Sequence, residues 1–136
     1  MKVRYHKTGL LIVREGRILL CRKRGLANLI LPGGRFEPGE SDEQCLAREL
    51  EEELGDVRAR DLLFLGAYTD RAAGDPGSLV RVELYGGEID GVPVASSEIA
   101  ELVWFGEDDD RSALSPSLVN TIIPDLIRRG VLPWRA

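Results

Sequence analysis

Glu49, Glu52 and Glu53 stand at i, i+3 and i+4 in the segment RELEEEL. On a helix of about 100° per residue, the three side chains fall within roughly 100° of one another. Like charges at these spacings repel, and each pair weakens an isolated helix by a few tenths of a kcal/mol. A hard divalent cation removes that penalty. Mg²⁺, or Mn²⁺ in its place, takes oxygen ligands and is held by a few carboxylates, with water and substrate phosphate completing an octahedral shell. The cluster therefore suits a divalent cation bound together with a phosphate ester. Taken alone, a run of acids is more often a solvated helix face. The preceding segment, Pro32-Gly33-Gly34-Arg35-Phe36-Glu37-Pro38-Gly39-Glu40, shifts the balance, because its glycines and prolines impose a specific backbone path into the acidic stretch.

The acids need a helix to hold them, and the sequence predicts one over Asp42 to Leu54. Ser41 is the expected N-cap, with an acid nearby at Glu43, and no Gly, Pro or β-branched residue interrupts the segment before Gly55 stops it. Leu46, Ala47, Leu50 and Leu54 fall on one arc and form the expected buried stripe, with the three glutamates along its flank.

From Gly34 the spacing runs five residues to Glu40, seven more to Arg48, and then Arg48-Glu49-Leu50-Glu51-Glu52-Glu53-Leu54-Gly55. This resembles the Nudix box of the MutT/Nudix hydrolases, GX5EX7REUXEEXGU with U aliphatic. Every fixed position matches except the last, where Asp56 replaces an aliphatic residue and Val57 follows. The resemblance implies Mg²⁺-dependent hydrolysis of the phosphoanhydride of a nucleoside diphosphate linked to a group X. It implies metal binding by Glu49, Glu52 and Glu53 with the Gly33 carbonyl. Such chemistry needs charge neutralised on phosphate oxygens and a water aligned for attack. One more carboxylate must take the water's proton, and Glu53 and Glu98 are the candidates, with Glu101 competing with Glu98. Arg48 lies one turn before Glu52 and can reach both it and Glu40, so Arg48 and Glu40 are expected to hold the ligands in place.

The rest of the chain reads as support. Val3 to Val13 and Arg17 to Cys21 are β-prone runs joined by a turn at Gly16, and Leu29-Ile30-Leu31 is a short strand delivering the glycine loop. Arg22 and Arg24, after the second run, and Arg35, in the loop, are candidates for contact with substrate phosphate. Asp61 to Tyr68 and Leu79 to Tyr85 read as strands around a loop at Thr69 to Ser78, and Gly86 to Val94 as a further strand and turn. Ser115-Pro116 opens a last helix in which Leu118, Ile122 and Leu126 pack inward, Pro124 kinks the axis and Gly130 ends it. The expected architecture is α+β, a mixed β-sheet sandwiched between α-helices, similar to the Nudix fold.

At 136 residues, with 43% hydrophobic and 30% charged residues, the chain is expected to form one domain, residues 1–136. A net charge of −5 argues against a binder of nucleic-acid polymers, though not against a small anionic nucleotide once cations are bound. The short apolar run Leu10 to Val13 is neither a signal peptide nor a membrane span, so a cytoplasmic location is expected, with Cys21 and Cys45 as free thiols. The apolar tail around Trp134 could pack on the body or in a homodimer. As substrate, a nucleoside triphosphate cleaved in MutT fashion leads, ahead of ADP-ribose, nucleotide sugars and dinucleotide polyphosphates. Segments typical of the family's NADH-type and coenzyme A-type members are not visible. A nucleotide-sensing module without turnover is the alternative of another class, and the intact acid set argues against it.

Overall fold

The computed structural model describes residues 1–136. Two three-stranded sheets form the frame. One is ordered β1 (Val3–Leu11), β5 (Asp75–Asp90), β4 (Arg58–Ala72); the other is ordered β2 (Val13–Arg14), β3 (Arg17–Lys23), β6 (Ile99–Phe105). β1 runs parallel to β5, and every other pairing is antiparallel, which makes the first sheet mixed.

The chain passes from one sheet to the other at Ile12, between β1 and β2. The turn to β3 is made by Glu15 (φ 52°) and Gly16 (φ 75°). Two consecutive positive φ angles are what a tight two-residue hairpin requires, and glycine meets the second without penalty. The expected hairpin is thus the short β2–β3 pair, and β1 belongs to the other sheet.

The end of β1, Leu10-Leu11, and the middle of β3, Ile18 to Cys21, are apolar at both parities because both of their faces are covered. Leu10, Ile12, Leu19 and Cys21 join Leu46, Leu50 and Leu54 of α1 (Asp42–Leu54) in one core cluster. Leu11, Ile18 and Leu20 join Leu118, Ile122, Ile123 and Leu126 of the C-terminal helical segment in the other. The layers are helix, sheet, helix. The last aliphatic position of the Nudix-like motif is filled one residue late, since Asp56 is exposed and Val57 enters the α1 core.

Several expectations change on folding. β4 and β5 form one long hairpin that turns at Ala73-Gly74, so Thr69 to Ser78 is mostly strand, and Gly86 to Asp90 completes β5 instead of starting another strand. Leu29 and Ile30 make only single bridges, to Leu114 and Cys21. The last helix begins at Pro116, widens to a π-helical turn over Leu118–Ile122, and continues as α2 (Ile123–Arg128). Ile123 N–H bonds the Leu118 carbonyl just before Pro124, which has no N–H to give, so the proline falls where the helix has already widened. Trp134 is buried on the body, 6.0 Å from the Phe105 ring, and its Nε1 donates to the Gly16 carbonyl at 2.7 Å. Both cysteines are buried and free, and no helix is long and apolar enough to cross a membrane.

Candidate functional site

Helix α1 begins in a complete capping box: Ser41 Oγ accepts Gln44 N–H at 3.2 Å, and the Gln44 side chain accepts Ser41 N–H at 3.0 Å. Its buried arc is rotated toward the acids. Cys45 and Glu53 are buried with the three leucines, and Ala47, expected in the stripe, is exposed. The cause is the glycine loop, which lies over that side of the helix. Thr8 N–H donates to the Gly34 carbonyl at 2.9 Å, and Cys45 Sγ sits 3.4 Å from the same oxygen.

Neither Gly33 nor Gly34 of that loop has room for a side chain. A Cβ on Gly33, at φ 136°, would lie 2.2 Å from the Thr8 carbonyl oxygen. One on Gly34 would lie 2.3 Å from the Glu49 carboxyl carbon, so the missing side chain is the space Glu49 occupies. Glu53 Oε1 accepts Gly33 N–H at 2.8 Å. Its other oxygen, Oε2, is buried with no partner. Burial drives the Glu53 carboxyl up to about 7 against the opposing Gly33 N–H, and Lys23 draws it back less than burial raises it. A buried, half-satisfied carboxylate is costly unless something electropositive completes it.

Arg48 organises the neighbouring acids. Its Nε and Nη2 grip Glu40 at 2.7 and 2.9 Å, Nη1 reaches Glu49 at 2.8 Å and Glu52 at 3.5 Å, and Nη2 also donates to the Arg35 carbonyl at 2.9 Å. This two-pronged contact, with Glu37 N–H at 2.7 Å, holds the Glu40 carboxyl down at about 2. Glu40 therefore ties α1 to the loop as a permanent anion. Glu49, Glu52 and Glu53 are not drawn into one coordination sphere here, since Arg48 stands between Glu49 and Glu52.

The three glutamates line one wall of a cavity of about 580 Å³, with Tyr5 and Lys7 of β1, Lys23 at the end of β3, and Val80 and Val82 of β5 on others. That volume suits a small organic ligand. Among the expected cations only Arg35 lines it, its guanidinium 5.6 Å from the centre of the Tyr5 ring. Arg22 is taken up by Glu101 at 2.6 Å and by the Ala27 carbonyl, and Arg24 is an exposed turn residue; neither lines the cavity. Lys23, between them, does. Strand parity could have found it, since Cys21 faces the α1 core and the residue two further on keeps that side. No sequence pattern marked Lys7. Glu98 lines the cavity, largely exposed and 4.0 Å from Lys23 Nζ, whereas Glu101 is turned to Arg22.

Comparison with known proteins places this geometry in context. The family model of the NUDIX domain matches residues 5–117. A NAD-capped RNA hydrolase NudC of Mycobacterium bovis is 37% identical over 90 residues, 62% of this chain and 26% of that protein. An RNA pyrophosphohydrolase of Pectobacterium atrosepticum is 39% identical over 54 residues, 40% of this chain and 30% of that protein. The chain thus matches about a quarter to a third of the length of these curated relatives. Among solved structures, the MutT NUDIX hydrolase from Burkholderia pseudomallei superposes with a TM-score of 0.71 at 27% identity, covering 85% of this chain and 91% of that one. The E. coli ORF135 protein superposes with a TM-score of 0.72 at 25% identity, covering 98% and 95%.

Proposed function

Because this chain belongs to the NUDIX domain family, we propose that its residues 1–136 act as one hydrolase domain. It cleaves the phosphoanhydride of a nucleoside diphosphate linked to X, with a nucleoside triphosphate, split in MutT fashion, as the first substrate to test. The observation that carries the reading is Glu53: a carboxylate inside the cavity, half-satisfied by the loop it packs against, with one oxygen left for an electropositive partner.

The donor set fits a divalent cation. Glu49, Glu52 and Glu53 are hard oxygen donors on one side of one cavity, and the Gly33 carbonyl accepts no backbone hydrogen bond. These residues would hold Mg²⁺, with Mn²⁺ as substitute. The bound cation would neutralise phosphate oxygens and sharpen the acidity of an attacking water. The protein's own part is positional. Arg48 and Glu40 fix the rotamers of the acids, the Gly33 N–H fixes Glu53, and Arg35 sits over Tyr5 on the cavity wall. Glu53 and Glu98 both reach the cavity as proton acceptors, and carboxylates around one cation titrate as a group.

The relatives' names widen the substrate panel. One is named for NAD-capped RNA, and a superposing structure with a TM-score of 0.65 at 25% identity is named a UDP-X diphosphatase. Phosphate or pyrophosphate release should therefore be measured with Mg²⁺ over nucleoside triphosphates, oxidised nucleotides, ADP-ribose, nucleotide sugars, dinucleotide polyphosphates and an NAD-capped oligonucleotide. Turnover of one class that Glu52→Gln abolishes is the expected result. Tight nucleotide binding without turnover, indifferent to Glu52→Gln, would make the chain a sensor.

Arg48→Ala removes no ligand, yet releases Glu40 and Glu49 together. We expect the Mg²⁺ concentration for half-maximal activity to rise roughly 10- to 100-fold. Wild-type activity at limiting Mg²⁺ in this variant would refute the positioning role.

A further inference from the structure

Lys7 and Lys23 reach the same cavity from different strands, β1 and β3, and face its acidic wall. Three other partly buried cations are neutralised at short range, Arg14 by Glu88 at 2.6 Å, Arg22 by Glu101 at 2.6 Å and Arg48 by Glu40 at 2.7 Å, and a fourth, Arg111, donates to the Glu107 and Arg135 carbonyls. The two lysines are not neutralised in this way. Lys7 forms no ion pair, and Lys23 meets only Glu98 at 4.0 Å. Burial lowers the Lys7 pKa and the neighbouring Lys23 lowers it further, whereas Glu53 and Glu49 pull the other way. Two ammonium groups brought together in a partly buried pocket destabilise the empty protein unless an anion is to lie between them. A single carboxylate would not need two cations on one side and three acids on the other.

We propose that Lys7, with Lys23 beside it, binds the phosphate chain of the substrate at the oxygens turned away from the carboxylate wall. This deepens the hydrolase reading and rests on it. Lys7 enters as a substrate-binding residue whose work is done in the ground state and kept through the reaction. Its partner is a linear polyphosphate carried by a nucleotide: each added phosphate extends the chain from the Glu49–Glu53 wall toward β1. Arg35, bridged to Lys7 across the β1 edge, lines the same cavity and adds a third cation to it.

The test compares wild type, Lys7→Met and Lys7→Arg. Methionine keeps the unbranched length without the charge, and arginine restores charge at the same position. In Mg²⁺ buffer, inorganic triphosphate is titrated into each protein and binding heat recorded; in parallel, KM and kcat are measured for the substrate found in the panel, and Tm without ligand. A charge loss at a phosphate contact corresponds to roughly 10- to 100-fold. Lys7→Met should weaken triphosphate binding and raise KM by that factor, with kcat within about threefold, while Lys7→Arg recovers most of the loss. The Tm of ligand-free Lys7→Met should equal or exceed that of wild type, since a desolvated charge is gone; a structural lysine would lower it. Triphosphate binding and KM within twofold of wild type in Lys7→Met, or no triphosphate binding by wild type, would overturn the proposal. Turnover that Glu52→Gln abolishes, with KM and triphosphate binding unmoved by Lys7→Met, would overturn this proposal alone, whereas no turnover of any nucleotide would overturn the hydrolase reading and this one with it.

Discussion

Without metal, Glu53→Gln protein will be more stable than wild type at pH 8, and with Mg²⁺ it will lose roughly 10²- to 10⁴-fold in activity. Both effects come from one buried carboxyl group. Its pKa in the folded protein is raised to about 7 from an ordinary 4.5, chiefly by burial. Between those values the native state keeps a proton that the unfolded chain has released. The stabilisation is thus complete below about pH 4.5 and is lost as pH rises through 7. At about 1.36 kcal/mol per pKa unit, the metal-free wild type should lose on the order of 3 kcal/mol across that window. Glutamine is neutral throughout and keeps the Gly33 N–H bond through its carbonyl oxygen, so its urea-unfolding free energy should lack that slope. Added Mg²⁺ should restore wild-type stability at pH 8 and do little for the variant. Equal pH profiles for the two metal-free proteins would mean that Glu53 is not strained in the empty site.

Gly33→Ala and Gly34→Ala, one residue apart, should fail in different ways. At Gly33 the added methyl meets backbone, the Thr8 carbonyl oxygen at 2.2 Å and the Gly9 Cα at 2.9 Å, at a φ of 136° that an L side chain rarely adopts. Backbone cannot step aside, so Gly33→Ala should cost about 3 kcal/mol or more and displace the loop that holds Glu53. At Gly34 the three atoms nearest the methyl all belong to the Glu49 carboxylate, from 2.3 Å, the movable end of a side chain. Gly34→Ala should lower stability by about 1 kcal/mol while pushing Glu49 off the cavity wall. Urea unfolding and Mn²⁺ titration of both proteins separate the two outcomes. A Gly34→Ala protein that binds Mn²⁺ as wild type does would exclude Glu49 from the metal set.

How much of this was legible beforehand differs by element. Helix α1 was readable to its ends, because its signals are local: a capping serine, a thirteen-residue segment dominated by good helix formers and a glycine stop. The β4–β5 hairpin was not. Its polar, glycine-bearing arms at Thr69 to Asp70 and Pro76 to Ser78 look like loop, and only pairing across the two strands, Asp70 to Val80 and Arg71 to Leu79, makes them sheet. β-structure depends on partners distant in sequence, so local composition misjudges it. Among the basic residues near the site, the sequence favoured Arg22 and Arg24 over Lys23, and the pairing of Arg22 with Glu101, opposite it on β6, reverses that order.

The sequence by itself determined the acidic helix, the loop that leads into it, the family and the chemistry that three glutamates at i, i+3 and i+4 suit. All of these depend on residues near one another in the chain, where spacing alone sets geometry. The tertiary structure alone decided that Glu53 and not Ala47 is buried, that Trp134 closes on the body, and that Lys7 lines the cavity with the acids. Those facts depend on which segments the fold brings together across the core, and the burial and charge of a side chain's surroundings belong to the assembled protein.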